Sequence, residues 1–353
     1  REKTIPAGSI TIYGSKGERK VVNIDKGAEE IMKVLNNAGQ VRQIEGETGT
    51  NVGGMLNNMK KELSQTTGQP IEKIEIKDIL AIDTFLPVTV KGALAGEVAM
   101  EKAVGIAAMV QAEKLPMERI AREVEKKLNV NAKVAGVEAV MATLGAWTTL
   151  GSQLPLAILD LGGGSTDAAL LDQEGKVVST HLAGAGSFIT MMIDSELGLD
   201  NISLAEDIKK YPLGKVESLF HMRLENGETI FFPKPLEPKV FGRVVVCREN
   251  EFIPIETRYS MERIREIRRN IKREVFVKNA LRALSKIAPA GNIRHIPNVV
   301  LVGGSALDFE IPEMVMEELS KYNIVAGKGE IRRTEGPRNA VATGLVMSGV
   351  EFI

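Results

Sequence analysis

The chain has 353 residues, a length that predicts at least two domains. Its 45 lysine and arginine residues nearly balance its 46 aspartate and glutamate residues, which argues against a broad nucleic-acid or membrane-binding surface. The single cysteine, Cys247, excludes an intramolecular disulfide and a cysteine-cluster metal site, and it favours a reducing, cytoplasmic setting. No apolar run reaches the roughly 18 residues of a membrane-spanning helix.

In the first half of the chain, the sequence predicts short strands mixed with helices. The predicted elements are strands at 9–13 and 20–24, helices at 28–35 and 55–63, strands at 79–82 and 86–90, helices at 96–114 and 117–128, a strand at 131–137 and a helix at 137–148. The helix at 96–114 is predicted because that segment is rich in alanine and methionine. The glycine-rich stretch 46–54 has no apolar strand before it and no Gly-Lys-Ser/Thr after it, so a turn that caps the next helix is favoured over phosphate binding.

The second half alternates between buried strands and helices. The predicted elements are strands at 156–160, 168–172 and 177–181, helices at 187–196 and 204–210, a β-rich excursion at about 218–258, a charged helix at 260–287, a strand at 299–302 and a small-residue helix at 341–349. Arginine, lysine and glutamate alternate along the charged helix, which predicts a solvated or subunit-facing surface rather than nucleic-acid binding. The three histidines have no metal-ligand spacing.

The segment from Asp160 to Asp167 combines a strand end, three glycines and two hydroxyl side chains. Glycines let backbone N–H groups approach phosphate oxygens, and hydroxyls can donate to the same group. The residues predicted to hold phosphate are Gly162, Gly163, Gly164, Ser165 and Thr166. Asp160 could hold a hydrated magnesium ion, because magnesium keeps several waters and accepts one or two carboxylates. A glycine-rich turn with an Asx cap is the structural alternative.

Three further segments are candidates for nucleoside binding, and each has a structural alternative. The apolar strand at 299–302 ends in Gly303, Gly304 and Ser305, whose backbone could lie against a flat base or could serve tight packing. Glu206 and Lys209 share a helix face, where they could contact a ribose and a base edge or form a surface ion pair. Arg338 stands at a helix start, where a cation is unfavourable, so it could stack on a base or could be a simple solvent-facing arginine.

The order of these four segments resembles the second half of the actin-like ATPase fold. The strings at 46–56, 205–213, 215–221 and 335–344 further resemble the large subunits of diol and glycerol dehydratase reactivating factors. The resemblance implies an α/β actin-like (ribonuclease H-like) half with an inserted smaller α+β domain. It also implies a chaperone-like factor that binds ATP, ADP and Mg²⁺, assembles with a small subunit into a hetero-oligomer, and releases damaged cobalamin from a B12-dependent dehydratase. Such factors act in the cytoplasm or with a bacterial microcompartment.

Carried over to this sequence, the resemblance assigns roles to particular residues and segments. The residues expected to face adenosine are Glu206, Asp207, Ile208 and Lys209, with Gly303, Gly304 and Ser305 along the nucleotide and Arg338 at the base. The implied divisions are 1–35, an inserted domain at 36–112, helices at 113–155 and a nucleotide-binding half at 156–353. The first phosphate loop of the fold and the segment that supplies the family's magnesium ligands have no counterpart in this sequence. We therefore expect weak nucleotide binding, no useful hydrolysis by this chain alone and no assigned metal ligand.

Two other functions use the same superfamily fold. A small-molecule kinase would need a catalytic aspartate that acts as base on a substrate hydroxyl, and no substrate motif is recognisable. A scaffold or filament protein would use the fold without catalysis, and nucleotide-dependent polymers would be its sign.

Overall fold

The computed structural model describes residues 5–89, 98–111, 115–249 and 251–350. Its first unit is a three-stranded antiparallel sheet in the order β2-β1-β3, packed against two helices. These elements are β1 (Ser9–Gly14), β2 (Arg19–Asn23), α1 (Ala28–Asn36), β3 (Val41–Gly46) and α2 (Asn51–Thr67). The glycine-rich stretch caps α2, since the Thr50 hydroxyl accepts a hydrogen bond from the Gly53 N–H. β3 pairs with β1 across the division at residue 35, which stays a prediction.

A long antiparallel ribbon follows, formed by β4 (Glu75–Thr89) and β5 (Val98–Gln111). The predicted helix at 96–114 is therefore wrong over 98–111, and the rest of that segment lies outside the described residues. Alanine and methionine favour helices, but pairing with β4 along its whole length and packing on the rest of the core override that preference. Val104, Ile106 and Val110 fall on alternate positions, which is the strand period that the composition concealed.

Two helices lead from the ribbon to the second half, α3 (Leu115–Leu128) and α4 (Glu138–Ala146). The strand predicted at 131–137 is wrong, because this segment forms no sheet pairing. Val134 is about half exposed there, so the segment does not pack its apolar side chains against the core as a buried strand would.

The second half is built on a five-stranded sheet in the order β15-β14-β6-β7-β8. Its strands are β6 (Leu156–Leu161), β7 (Ser165–Leu171), β8 (Val177–Ala183), β14 (Asn298–Val302) and β15 (Val325–Lys328). The first three form an antiparallel meander, and β14 and β15 run parallel to β6. The helices of this half are α5 (Gly186–Leu197), α6 (Ile202–Lys210), α7 (Met261–Lys272), α8 (Lys278–Ile287), α9 (Ile311–Ser320) and α10 (Ala340–Val350).

The predicted β-rich excursion is a separate antiparallel sheet in the order β11-β10-β9-β12-β13. Its strands are β9 (Leu213–Ser218), β10 (His221–Leu224), β11 (Thr229–Phe231), β12 (Val244–Arg248) and β13 (Glu251–Pro254). It has its own small apolar core around Val216, Met222 and Val245, and we call it the second sheet.

The predicted charged helix is continuous, because a five-residue π-helical turn at Arg273–Val277 joins α7 to α8. Its prediction as a solvated surface is wrong at two positions, since Arg268 and Lys272 are fully buried. Both lie on the apolar face of α7 with Ile264 and Ile271, and so they point into the protein. Among the described residues, no helix is long and apolar enough to cross a membrane.

Candidate functional site

The glycine turn between β6 and β7 is the centre of the candidate site. The two strands pair up to Leu161 and Thr166, so the intervening glycines form a tight connection at the end of the sheet. Gly163 and Gly164 are exposed, and a Cβ atom at Gly164 would meet no atom within 4 Å. The turn therefore offers bare backbone, which an oxyanion can approach closely.

The loop after β14 meets this turn. β14 is parallel to β6, so both strands end at the same edge of the sheet. The Ser305 hydroxyl donates to the Gly162 carbonyl at 3.1 Å. Gly303 has a φ of 90°, and a Cβ there would lie 2.2 Å from Oδ1 of Asp160. Glycine at this position is therefore required by both the backbone conformation and the space.

The start of α5 packs against the same turn. The Gly186 and Ser187 N–H groups donate to the Gly162 and Gly163 carbonyls at 3.2 and 2.8 Å. The carbonyl of Gly186 in turn accepts from Nζ of Lys209 at 3.0 Å. A single hydrogen-bonded path thus joins α6 to the glycine turn.

Lys209 and Glu206 form the predicted ion pair, and it is not a surface pair. Lys209 is buried and also donates to the Thr190 hydroxyl at 2.8 Å. Glu206 accepts from Thr190 and pairs with Lys210 through its other oxygen at 2.7 Å. Burial alone would raise the pKa of Glu206, but Lys209, Lys210 and Thr190 lower it to about 2. Glu206 is therefore a fixed anion at any physiological pH.

The two residues between them are placed differently. Asp207 faces Arg248 of β12 at 3.8 Å. Ile208 is fully buried in the main core, where its side chain packs against other apolar residues. Of the four consecutive residues, Lys209 contacts Gly186 at the start of α5, and Glu206 is joined to it through the ion pair.

Asp160 is 6% exposed, and within the described part of the chain its carboxylate has no hydrogen-bond or ion-pair partner. Burial is the largest cause that raises its pKa to about 7, with further contributions from Asp167 and Glu138. An uncommitted carboxylate beside an open glycine turn fits a hydrated magnesium ion. The described residues contain no group of three metal-ligating side chains, so Asp160 could supply at most part of such a site.

The two hydroxyls of the turn have different surroundings. Ser165 is partly exposed and donates to Oδ2 of Asp167 at 3.0 Å. Thr166 is fully buried and donates to the Gly184 carbonyl at 2.8 Å. In this arrangement its hydroxyl hydrogen is committed to Gly184, and the predicted hydrogen bond from Thr166 to phosphate stays a prediction.

Two residues of this region were missed by the sequence analysis. His181 lies directly across from Asp167 in the β7–β8 pairing, with its Nδ1 2.9 Å from Oδ1. The hydrogen bond to Asp167 is the largest cause of its raised pKa. Glu138, the first residue of α4, acts electrostatically on both Asp160 and His181. Cross-strand register would have revealed His181, but register cannot be read until the strand ends are known.

Arg338 follows Pro337, whose carbonyl accepts a hydrogen bond from the Gly303 N–H at 3.0 Å. Its side chain is exposed and, within the described residues, free of ion pairs. The terminal segment is thus held beside the loop after β14, with a free guanidinium next to the candidate site.

Comparison with known proteins gives consistent matches along almost the whole chain. The family model for the diol dehydratase reactivase ATPase-like domain matches residues 22–349. The propanediol dehydratase-reactivating factor large subunit of Salmonella typhimurium is 52% identical over 348 residues, covering 99% of this chain and 57% of that relative. The diol dehydratase-reactivating factor large subunit of Klebsiella michiganensis matches with the same identity and coverage.

Two solved structures superpose closely on this chain. A glycerol dehydratase reactivase superposes with a TM-score of 0.90 at 53% identity, and a nucleotide-free diol dehydratase-reactivating factor with 0.90 at 52%. Each match covers 98% of this chain and 57% of the other. The predicted α/β fold is thereby confirmed, and the family model describes it as an ATPase-like domain. The chain belongs to the diol dehydratase reactivase family through its ATPase-like domain.

Proposed function

We propose that this chain is the nucleotide-binding part of a reactivating factor for a B12-dependent diol or glycerol dehydratase. The observation that carries the proposal is the convergence of three separate segments on the glycine turn: Ser305, the start of α5, and Lys209 through Gly186. The chain spans 57% of the length of the curated relatives it matches, so the whole factor's activity is part of the proposal.

In this arrangement the nucleotide phosphates lie along Gly162–Gly164, and the Ser165 hydroxyl lies at the same edge. The bare backbone of Gly303 and Gly304 lies beside the nucleoside, and Arg338 is free to stack on the base. Glu206 is an anion that could accept hydrogen bonds from ribose hydroxyls through its partly exposed carboxylate. Asp160 would hold the hydrated magnesium ion, which neutralises phosphate charge when bound.

Reactivation would follow from exchange between ATP- and ADP-bound conformations in a complex with the small subunit. The dehydratase with its damaged cobalamin would be the client, and diol and glycerol dehydratases are both consistent with the relatives' names. The physical requirement is that nucleotide binding changes the position of one part of the chain relative to another.

Calorimetric titration of the 353-residue chain with ADP and MgATP tests the nucleotide site. Lys209→Met and Arg338→Ala should each weaken binding about tenfold, which is ~1.4 kcal/mol. Lys321→Met and Arg294→Ala are matched controls, because both alter exposed cations of this half outside the site. Binding that is equally strong in all five proteins would contradict the assignment of the site.

A second assay tests the factor's activity. A diol dehydratase inactivated by turnover is incubated with the chain, the small subunit, coenzyme B12 and MgATP, and recovery of activity is followed. ATP-dependent recovery that Lys209→Met slows, and Lys321→Met does not, is the expected result. Recovery at the same rate without nucleotide would refute the nucleotide-linked part of the proposal.

A further inference from the structure

Two fully buried cations sit behind the candidate site, on α7. Arg268 and Lys272 are both 0% exposed, although lysine and arginine are rarely buried without partners. Neither touches the glycine turn. Their partners instead come from the segments that carry the other candidate nucleotide contacts.

Lys272 joins the two nucleoside-side segments through one ammonium group. Its Nζ donates to the Lys209 carbonyl, at the end of α6, at 2.7 Å. It also lies 2.9 Å from both carboxylate oxygens of Asp308, three residues beyond Ser305. A third carboxylate contact, to Glu310 at 2.9 Å, completes its surroundings.

Arg268 extends this network to the second sheet. Its guanidinium donates twice to Glu310, at 2.8 Å each, and twice to Glu225 at 2.9 and 3.0 Å. Glu225 begins the turn between β10 and β11. Phe309 covers both cations, with its ring centre 4.9 Å from Cζ of Arg268 and 4.6 Å from Nζ of Lys272.

The network pairs its cations with carboxylates, although burial lowers the pKa of Lys272 in spite of its contacts with Asp308 and Glu310. Burial alone would raise the pKa of Glu310, but Arg268 and Lys272 together lower it, so the carboxylate stays ionised. Buried ion pairs of this kind are a weak source of stability, because apolar side chains of the same volume often serve as well. What they do supply is fixed geometry among several backbone segments, since each donor is satisfied in only one arrangement.

We propose that Arg268 and Lys272 are positioning residues that hold α6 and the segment after Ser305 in register and link both to the second sheet. The inference rests on the proposed nucleotide site. Movement of the second sheet would then be transmitted to the ends of the nucleotide pocket through Glu225, Arg268 and Glu310. Conversely, nucleotide binding would reduce the motion of the β10–β11 turn.

The test uses the 353-residue chain and a fluorescent ADP analogue, with affinity and dissociation rate measured by stopped flow. Lys272→Met should raise the dissociation rate at least tenfold. Asp308→Asn is the milder variant, because an amide oxygen can still accept from the Glu310 and Ile311 N–H groups that Asp308 Oδ1 caps. The control is Arg263→Met on the same helix, which is exposed and pairs with Glu266.

Two readouts separate positioning from mere support of the fold. The combined variant Lys272→Met with Asp308→Asn should regain thermal stability, because fewer buried charges are left uncompensated, while its dissociation rate stays raised. ADP should also slow hydrogen exchange at residues 221–231 in the unmodified chain, and Glu225→Gln should remove that protection with little change in affinity.

The outcomes distinguish the two proposals. No ADP binding by the unmodified chain overturns the proposed function, and this inference with it. If the unmodified chain binds ADP, and Lys272→Met and Asp308→Asn both change its affinity and dissociation rate by less than twofold, this inference alone is overturned. The same holds if the combined variant recovers stability and dissociation rate together, or if ADP never protects residues 221–231.

Discussion

Asp160 should reduce the stability of the ligand-free protein at neutral pH, and Asp160→Asn should relieve this cost. Burial raises its pKa from 3.8 to about 7, so the folded state binds the proton more tightly than the unfolded chain does. Stability from this group is therefore present below pH 4 and is lost as the pH rises towards 7. A difference of about three pKa units, at 1.36 kcal/mol each, gives about 4 kcal/mol before relaxation, and on the order of 2–4 kcal/mol is expected.

Urea unfolding monitored by circular dichroism, from pH 5 to 8.5 in EDTA, measures this cost. Asparagine keeps the shape of the side chain and removes its charge, so Asp160→Asn should become progressively more stable than the unmodified chain as pH rises. The control is Asp25→Asn, which makes the same substitution at an exposed aspartate of the first unit. If the free energies of unfolding of Asp160→Asn and of the unmodified chain changed in parallel with pH, the reasoning would be refuted. The buried carboxylate would then carry no desolvation cost.

The same variant should lose the response to magnesium. Adding Mg²⁺ with ADP should stabilise the unmodified chain more than Asp160→Asn, since only the former has a carboxylate for the hydrated ion. Equal stabilisation of both proteins would show that Asp160 takes no part in holding magnesium.

Two glycine substitutions test close packing around the site, each by thermal unfolding against a matched glycine. Gly303→Ala should lower the free energy of unfolding by about 2–4 kcal/mol, because its Cβ would lie 2.2 Å from Asp160 and the backbone φ is positive. The new Cβ of Gly304→Ala would meet no atom within 4 Å, so this substitution should cost far less. Gly344→Ala should also destabilise, since its Cβ would lie 1.8 Å from a carbonyl oxygen of α4, while Gly349→Ala in open space should gain up to about 1 kcal/mol of helix propensity. Equal effects within either pair would contradict the packing argument.

The glycine turn and the loop after β14 were both candidates from the sequence, because each follows an apolar strand. That they face one site was implied only by the family resemblance, because the parallel pairing of β14 with β6 is known only from the structure. The family strings added the expectation that the segment around Lys209 belongs to the same site. What the sequence could not supply was the direction of each side chain. Thr166 is buried and its hydroxyl donates to the Gly184 carbonyl, whereas Ser165, one residue earlier, is partly exposed and donates to Asp167.

The helix periodicity of the sequence favoured burial of Arg268 and Lys272, but the charge of the helix argued against it. These residues continue the spacing of Ile264 and Ile271 on one face of the helix, so periodicity alone places them inward. The density of charge on this helix favoured solvent instead. Their carboxylate partners lie about 40 residues away at Asp308 and Glu310, and only the folded chain brings those groups together.

The candidate site also has an energetic signature that favours a ligand. Asp160 is a buried carboxylate without a protein partner in the described residues, and the missing Cβ of Gly303 leaves room for it. A fold selected only for stability would replace such a carboxylate with an apolar or amide side chain. Lys272 and Arg268, by contrast, each lie within hydrogen-bond distance of carboxylates. A carboxylate without a partner therefore lies at the open turn, and a network of paired charges lies behind it. This is the arrangement expected if a cation-bearing ligand binds Asp160 and the network holds the walls of the site in place.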